Sequence, residues 1–152
     1  MIRLFLSTAL AGVLTFSTLA PVQAQSVAGA YLAGRQAAIS NDFDEAAVYY
    51  VKALARDQNN LELMDGAILS FLSLGQLNRA VPIAKRLEAS GERAQVAHMA
   101  MIGDLIARED YATLAARDVE TLGIGPLVDG LLGAWTLVGL GNVADGMAAV
   151  VG

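Results

Sequence analysis

From residue 27 onward, apolar residues recur at three- and four-residue intervals. In the stretch AGAYLAGRQAA, the small residues Ala30, Ala33, Gly34, Ala37 and Ala38 form one stripe. After Asn41-Asp42-Phe43 a second stripe follows at Ala46, Ala47, Tyr50, Ala53 and Leu54. Spacing of i, i+3/i+4 and i+7/i+8 is the apolar face of an amphipathic helix. Asp44 and Glu45 occupy the first turn of the second helix, where negative charge offsets the exposed amide dipoles. Asp42 is placed to cap it, and Asp57-Gln58-Asn59-Asn60 ends it with turn-forming residues. The same pattern, followed along the chain, predicts helices over about 27–40, 44–56, 61–74, 78–90, 94–107, 111–121, 126–140 and 144–151. Gly91 and Gly123 are expected as left-handed helix ends. Pro126 is expected to open a helix, and Pro82 to lie in the first turn of another.

The pattern repeats. Asn41-Asp42-Phe43-Asp44-Glu45-Ala46 aligns with Gly75-Gln76-Leu77-Asn78-Arg79-Ala80 and with Glu109-Asp110-Tyr111-Ala112-Thr113-Leu114, each 34 residues after the last. A fourth occurrence, Gly141-Asn142-Val143-Ala144-Asp145-Gly146, comes 32 residues later. A fixed period of this length is the signature of a helical repeat array. The chain resembles a tetratricopeptide repeat (TPR) protein, of the exported bacterial type. The first unit carries the resemblance best, with Gly34, Phe43, Ala46, Tyr50 and Ala53 at the expected small and aromatic positions and Gln58 where proline is usual. The second unit keeps Ala80 and places Ile68, Leu77, Ala84 and Leu87 at the others. The third keeps Tyr111 and has Leu114 where alanine is expected.

The resemblance implies an all-α fold. It would be a right-handed α-solenoid of about four helix pairs, the last incomplete, over units of about 27–60, 61–94, 95–126 and 127–152. One helix pair cannot bury its apolar face alone, so neighbouring pairs stack. The chain reaches residue 152 with the apolar run Met147-Ala148-Ala149-Val150-Val151, where a repeat array usually carries a solvating cap. A longer multi-repeat protein, or self-association through that segment, is the expectation there.

The first 24 residues stand apart. Arg3 precedes an apolar run from Leu4 to Ala20, Pro21 breaks it, and Val22-Gln23-Ala24 offers small residues where a signal peptidase reads. This is the layout of a secretory signal peptide cleaved after Ala24, leaving residues 25–152 as one repeat domain. The alternative is an uncleaved anchor, the run being near the lower limit for spanning a bilayer but diluted by Ser, Thr and Gly. The chain has no cysteine, which excludes lipid attachment behind the signal, disulfides and Cys-ligated metals. An exported chain without disulfides points to the periplasm of a Gram-negative bacterium. The net charge of −5 gives no electrostatic reason to bind nucleic acid or an anionic membrane surface.

Candidate chemistry is sparse. His98 is the sole histidine and has no carboxylate at i±4, so it reads as a packing or half-exposed residue rather than a metal ligand. Gly139-Leu140-Gly141-Asn142-Val143-Ala144 matches GxGxxA, but no acidic residue follows at the distance a dinucleotide site needs, and the repeat register assigns Gly141 to a turn. Asp42, Asp44 and Glu45 lack the rest of a calcium loop and read as capping charge. No nucleophile-elbow pattern occurs. Tyr50 reads as packing, Tyr49 as solvent-facing and Trp135 as core or groove. Neither catalysis, cofactor nor metal is expected.

What remains is the concave face that the TPR resemblance implies. Its lining positions would fall on Ala28, Tyr31, Arg35, Ala38 and Ile39, then on Glu62, Asp65, Leu69, Leu72 and Ser73. They continue on Val96, Met99, Gly103, Ile106 and Ala107, and on Val128, Leu131, Trp135, Val138 and Gly139. The Lys/Asn set that clamps a C-terminal carboxylate in some TPR proteins is absent, with Tyr31 and Arg35 at two of its positions. The groove would be polar at its N-terminal end and apolar beyond, suiting a protein or peptide partner with an apolar segment. Tyr31, Arg35, Glu62, Asp65, Leu69, Met99 and Trp135 are the partner-binding candidates. Alternatively the apolar members are inner-helix packing, or are covered by further repeats. Two other functions stay open: an oligomerising structural piece, and an accessory domain of an enzyme.

Overall fold

A computed structural model of the protein describes residues 25–151. Every regular element among them is a helix: α1 (Gln25–Ile39), α2 (Phe43–Leu54), α3 (Leu61–Ser73), α4 (Leu77–Ala89), α5 (Gln95–Ala107), α6 (Tyr111–Ala115), α7 (Val119–Leu122), α8 (Pro126–Gly139) and α9 (Val143–Val151). Residues 1–24, with the expected signal peptide, lie outside the described residues. None of the described helices is long and apolar enough to cross a membrane.

The helices pack in consecutive pairs, α1 with α2, α3 with α4 and α8 with α9. Contacts between α2 and α3 and between α4 and α5 join each early pair to the next element. Helix α1 also touches α3, and α3 touches α5, so the first helices of successive units lie side by side.

One turn, used four times, makes the pairs. Asn41, Gly75, Glu109 and Gly141 each adopt a left-handed conformation, with φ of 59°, 67°, 56° and 88°. In every case the next residue donates its backbone N–H five residues back: Asp42 to Ala37, Gln76 to Phe71, Asp110 to Leu105 and Asn142 to Leu137, at 2.8–2.9 Å. The left-handed residue itself donates three back, to Ala38, Leu72, Ile106 and Val138. This double closure satisfies carbonyls that a helix end would leave unpaired and reverses the chain in three residues. The turns fall on the repeat read from the sequence, and two caps sharpen them. Asp42 Oδ1 accepts the N–H of Glu45 at 3.1 Å, and Asp110 Oδ1 that of Thr113 at 3.1 Å.

Small residues let the helices approach. Ala46, Ala53, Ala67, Ala80, Ala84, Ala97 and Ala100 have no exposed surface. The ring of Tyr50 fills the space between units: a Cβ on Gly34 would lie 3.3 Å from it, and one on Gly66 2.6 Å. Leu63, Ile68, Phe71 and Leu87 are 0–2% exposed, and each such burial is worth about 1.5–3 kcal/mol. This core runs from Ala30 to Ala100; a smaller one, Ile102, Leu105 and Leu114, holds the third unit.

The structure corrects four expectations. The helix expected over 111–121 is two short ones, α6 and α7, broken at Ala116–Asp118. The break follows from Arg117 turning inward to only 12% side-chain exposure, and from Asp118 restarting the chain as an N-cap for Glu120. Gly123 is extended, with φ of −80° and ψ of 167°, because α7 ends there without a left-handed turn. Pro82 is the sixth residue of α4, past the first turn, so the Asn78 carbonyl loses its helical partner. Pro82 lies on the exposed side of α4. Tyr49 is half-buried against the core beside Gly34 rather than solvent-facing. Gly91, with φ of 79°, and Pro126, opening α8, are as expected.

Candidate functional site

Four of the seven candidate residues meet at one place. The Tyr31 hydroxyl on α1 donates to Glu62 Oε1 on α3, and this hydrogen bond pushes the Tyr31 phenol above its usual range. Arg35, one turn on, acts on the same hydroxyl in the opposite sense. Tyr31 also meets the Tyr50 ring edge-on, with centroids 6.5 Å apart and planes at 61°. Asp65, one turn after Glu62, is pushed up first by burial and then by the Glu62 charge, and no cation pairs with it among the described residues.

The apolar candidates are distributed along the same helices. Leu69 on α3, Met99 on α5 and Trp135 on α8 are 43%, 42% and 57% exposed. On α8, Val128, Leu131, Trp135 and Val138 share one face, and all four are exposed. Leu69 and Met99 lie on α3 and α5, which touch each other, whereas Trp135 lies on α8, which packs on α6 and α9. Leu72 is partly buried against the core, and Gly139 packs against Tyr111, whose ring would lie 2.6 Å from a Cβ there. These two positions serve packing rather than the groove.

A buried charged cluster was not foreseen. His98, 1% exposed, places Nδ1 2.9 Å from Glu88 Oε1, and Arg117 Nη2 donates to the same oxygen. Burial pushes the Glu88 carboxyl up, but hydrogen bonds from Arg117 and His98 together outweigh it and hold it below the usual range. A carboxylate accepts, so Nδ1 carries a proton, while Nε2 is buried and has no partner. The three residues come from α4, α5 and the α6–α7 break, so the cluster pins the irregular third unit onto the second. The signal available in the sequence was His98 between Ala97 and Ala100, on the buried stripe of α5. Nothing local announced Arg117 as its neighbour.

Two further links tie units together. Arg86 Nη2 donates to the Gln58 carbonyl, and Arg93 Nη2 to the Glu120 carbonyl. Asp42 caps α2, and Gly141 makes a turn, which accounts structurally for two motifs that mimic a calcium loop and a dinucleotide site. Among the described residues no group of three or more His, Asp or Glu side chains is placed to hold a metal ion. The chain matches no protein-family model, no curated protein and no solved structure.

Proposed function

We propose that the protein is an exported TPR-like α-solenoid that holds a protein partner along the exposed face of α1, α3, α5 and α8, without chemistry of its own. One observation carries the reading: the first helix of each later unit exposes large apolar side chains, Leu69, Met99, Leu131 and Trp135, at 42–57%. Exposed apolar side chains on successive helices, beyond a polar end, suit a peptide that lays an apolar segment along the surface. The polar end is Tyr31, Arg35, Glu62 and Asp65, where an underneutralised carboxylate favours a basic group on the partner.

The reading is tested with the photocrosslinker p-benzoylphenylalanine, placed singly at Leu69, Met99 and Trp135, and at the exposed Val48 on the second helix of the first pair as a control. The expected result is one shared adduct from the first three sites and none from Val48. Adducts absent from the three, or equally strong from Val48, overturn it.

A second reading is favoured by a separate observation. Leu127, Val143, Met147 and Val150 on α8 and α9 are 55–76% exposed. Such a face suits pairing with a second copy, and light scattering that gives a monomer at all concentrations removes this reading.

A further inference from the structure

Within the chain, the second helix of each early unit is covered by the first helix of the next: α2 packs on α3, and α4 on α5. Counted from the left-handed turn residues Asn41, Gly75 and Gly141, Ala47, Val81 and Met147 hold equivalent positions, as do Tyr50, Ala84 and Val150. In the first two units these positions are 0–8% exposed, whereas Met147 and Val150 on α9 are 64% and 61% exposed. The outer side of α9 is therefore the surface that a following first helix covers earlier in the same chain.

The other end presents the matching surface. By the same count, Leu32 on α1 is equivalent to Gly66, Ala100 and Leu132, and Gly29 to Leu63 and Ala97. Gly66 receives the Tyr50 ring of the preceding unit, and Leu132 packs against the core of the third unit. Ala100, Leu63 and Ala97 are 0–1% exposed. On α1, by contrast, Leu32 is 60% exposed, and a Cβ at Gly29 would meet nothing within 4 Å. So α1 turns outward the side that α3 presses onto α2. The internal contact of Tyr50 with Gly66 has its counterpart in Val150 of one copy against Leu32 of another, both apolar. The charges agree: α1 carries Arg35 and no acid, and α9 carries Asp145 and no base.

We propose that copies of the protein stack head to tail, with α1 of one seated on α9 of the next, so that the joint between units continues from chain to chain. This deepens the second reading above, in which the α8–α9 end takes a second copy, and rests on it. The joint is heterologous. Each added copy brings a fresh α1 and a fresh α9, so growth is open-ended instead of stopping at a dimer. Symmetric pairing of two α9 faces would bury Met147 and Val150 but leave Leu32 uncovered.

Sedimentation velocity on the purified protein over a wide concentration range tests this. Leu32→Asp and Met147→Asp place a charge on exposed positions of α1 and α9, so the helical circular dichroism is kept. The unaltered protein is expected to form a series of sizes that lengthens with concentration, and each variant alone to stay monomeric. Their equimolar mixture is expected to form a one-to-one dimer and nothing larger, because Leu32→Asp keeps an intact α9 and Met147→Asp an intact α1. A Leu32→Asp variant that still dimerises alone, or an unaltered protein that stops at a dimer, overturns head-to-tail stacking and leaves the second reading standing. A mixture that stays monomeric also overturns the stacking. An unaltered protein that is monomeric at every concentration removes both.

Discussion

The ring of Tyr50 rests on the bare backbone of Gly66 in the next unit: a Cβ added at Gly66 would fall 2.6 Å from its Cζ. Tyr50 cannot easily move aside, because it is 6% exposed and bounded by Gly34 on α1 and by the Tyr31 ring. Gly66→Ala is therefore expected to cost about 1–2 kcal/mol, the overpacking penalty partly offset by better helix propensity. Gly29→Ala on α1, where nothing lies within 4 Å, gains up to about 1 kcal/mol. Urea unfolding of the two variants checks the contrast, and equal shifts would show that the ring yields freely.

The Glu88–Arg117 pair predicts an asymmetric mutational cycle. Arg117→Met leaves the largely buried Glu88 carboxylate with His98 alone and costs about 3 kcal/mol, whereas adding both Glu88→Leu and His98→Leu recovers most of that loss. Acid unfolding adds a signed test. The Glu88 carboxyl is held low in the fold, so its contribution is full above the unfolded carboxyl value, about 4.3, and is lost as pH falls through the folded value. Glu88→Gln should flatten the stability curve below about pH 4.3, measured by thermal melts across pH.

Glu109 occupies the one left-handed turn position filled by neither glycine nor asparagine, with φ of 56°. Glu109→Gly is expected to raise stability by roughly 0.5–1 kcal/mol, relief of the backbone strain exceeding the added entropy of the unfolded chain. Gly75→Ala, at the equivalent turn with φ of 67°, should lower it by a similar amount. Calorimetric melting temperatures moving in opposite directions are the expected outcome.

Asp65 is penalised in the fold by burial and by the neighbouring Glu62 charge. Its folded value lies above the unfolded one, so the ionised form costs stability at neutral pH, and the cost fades as pH falls and Asp65 protonates. Asp65→Asn should stabilise the protein by a few tenths of a kcal/mol at pH 7 and by less near pH 4, an effect kept small by solvent screening. If the residue serves a basic partner group, the same variant weakens the Leu69 and Met99 crosslinks. A variant more stable yet poorer at binding would mark a carboxylate kept for recognition.

The amino-acid sequence by itself determined the helices and their pairing. Apolar stripes at helical spacing, Asp42 and Asp110 as caps, and turn residues every 34 or 32 positions are local instructions, each read by the backbone within five residues. Packing between elements decided the rest. The break at Ala116–Asp118 exists because Arg117 finds Glu88 on α4, and the burial of His98 is stabilised by the same carboxylate. The meeting of Tyr31 with Glu62 likewise needs two units side by side. Such contacts join residues 10 to 31 apart in sequence, and no local pattern encodes them. They arise once the stacked helices fix which side chains share a buried space, where a charge must find its partner or remain unpaired.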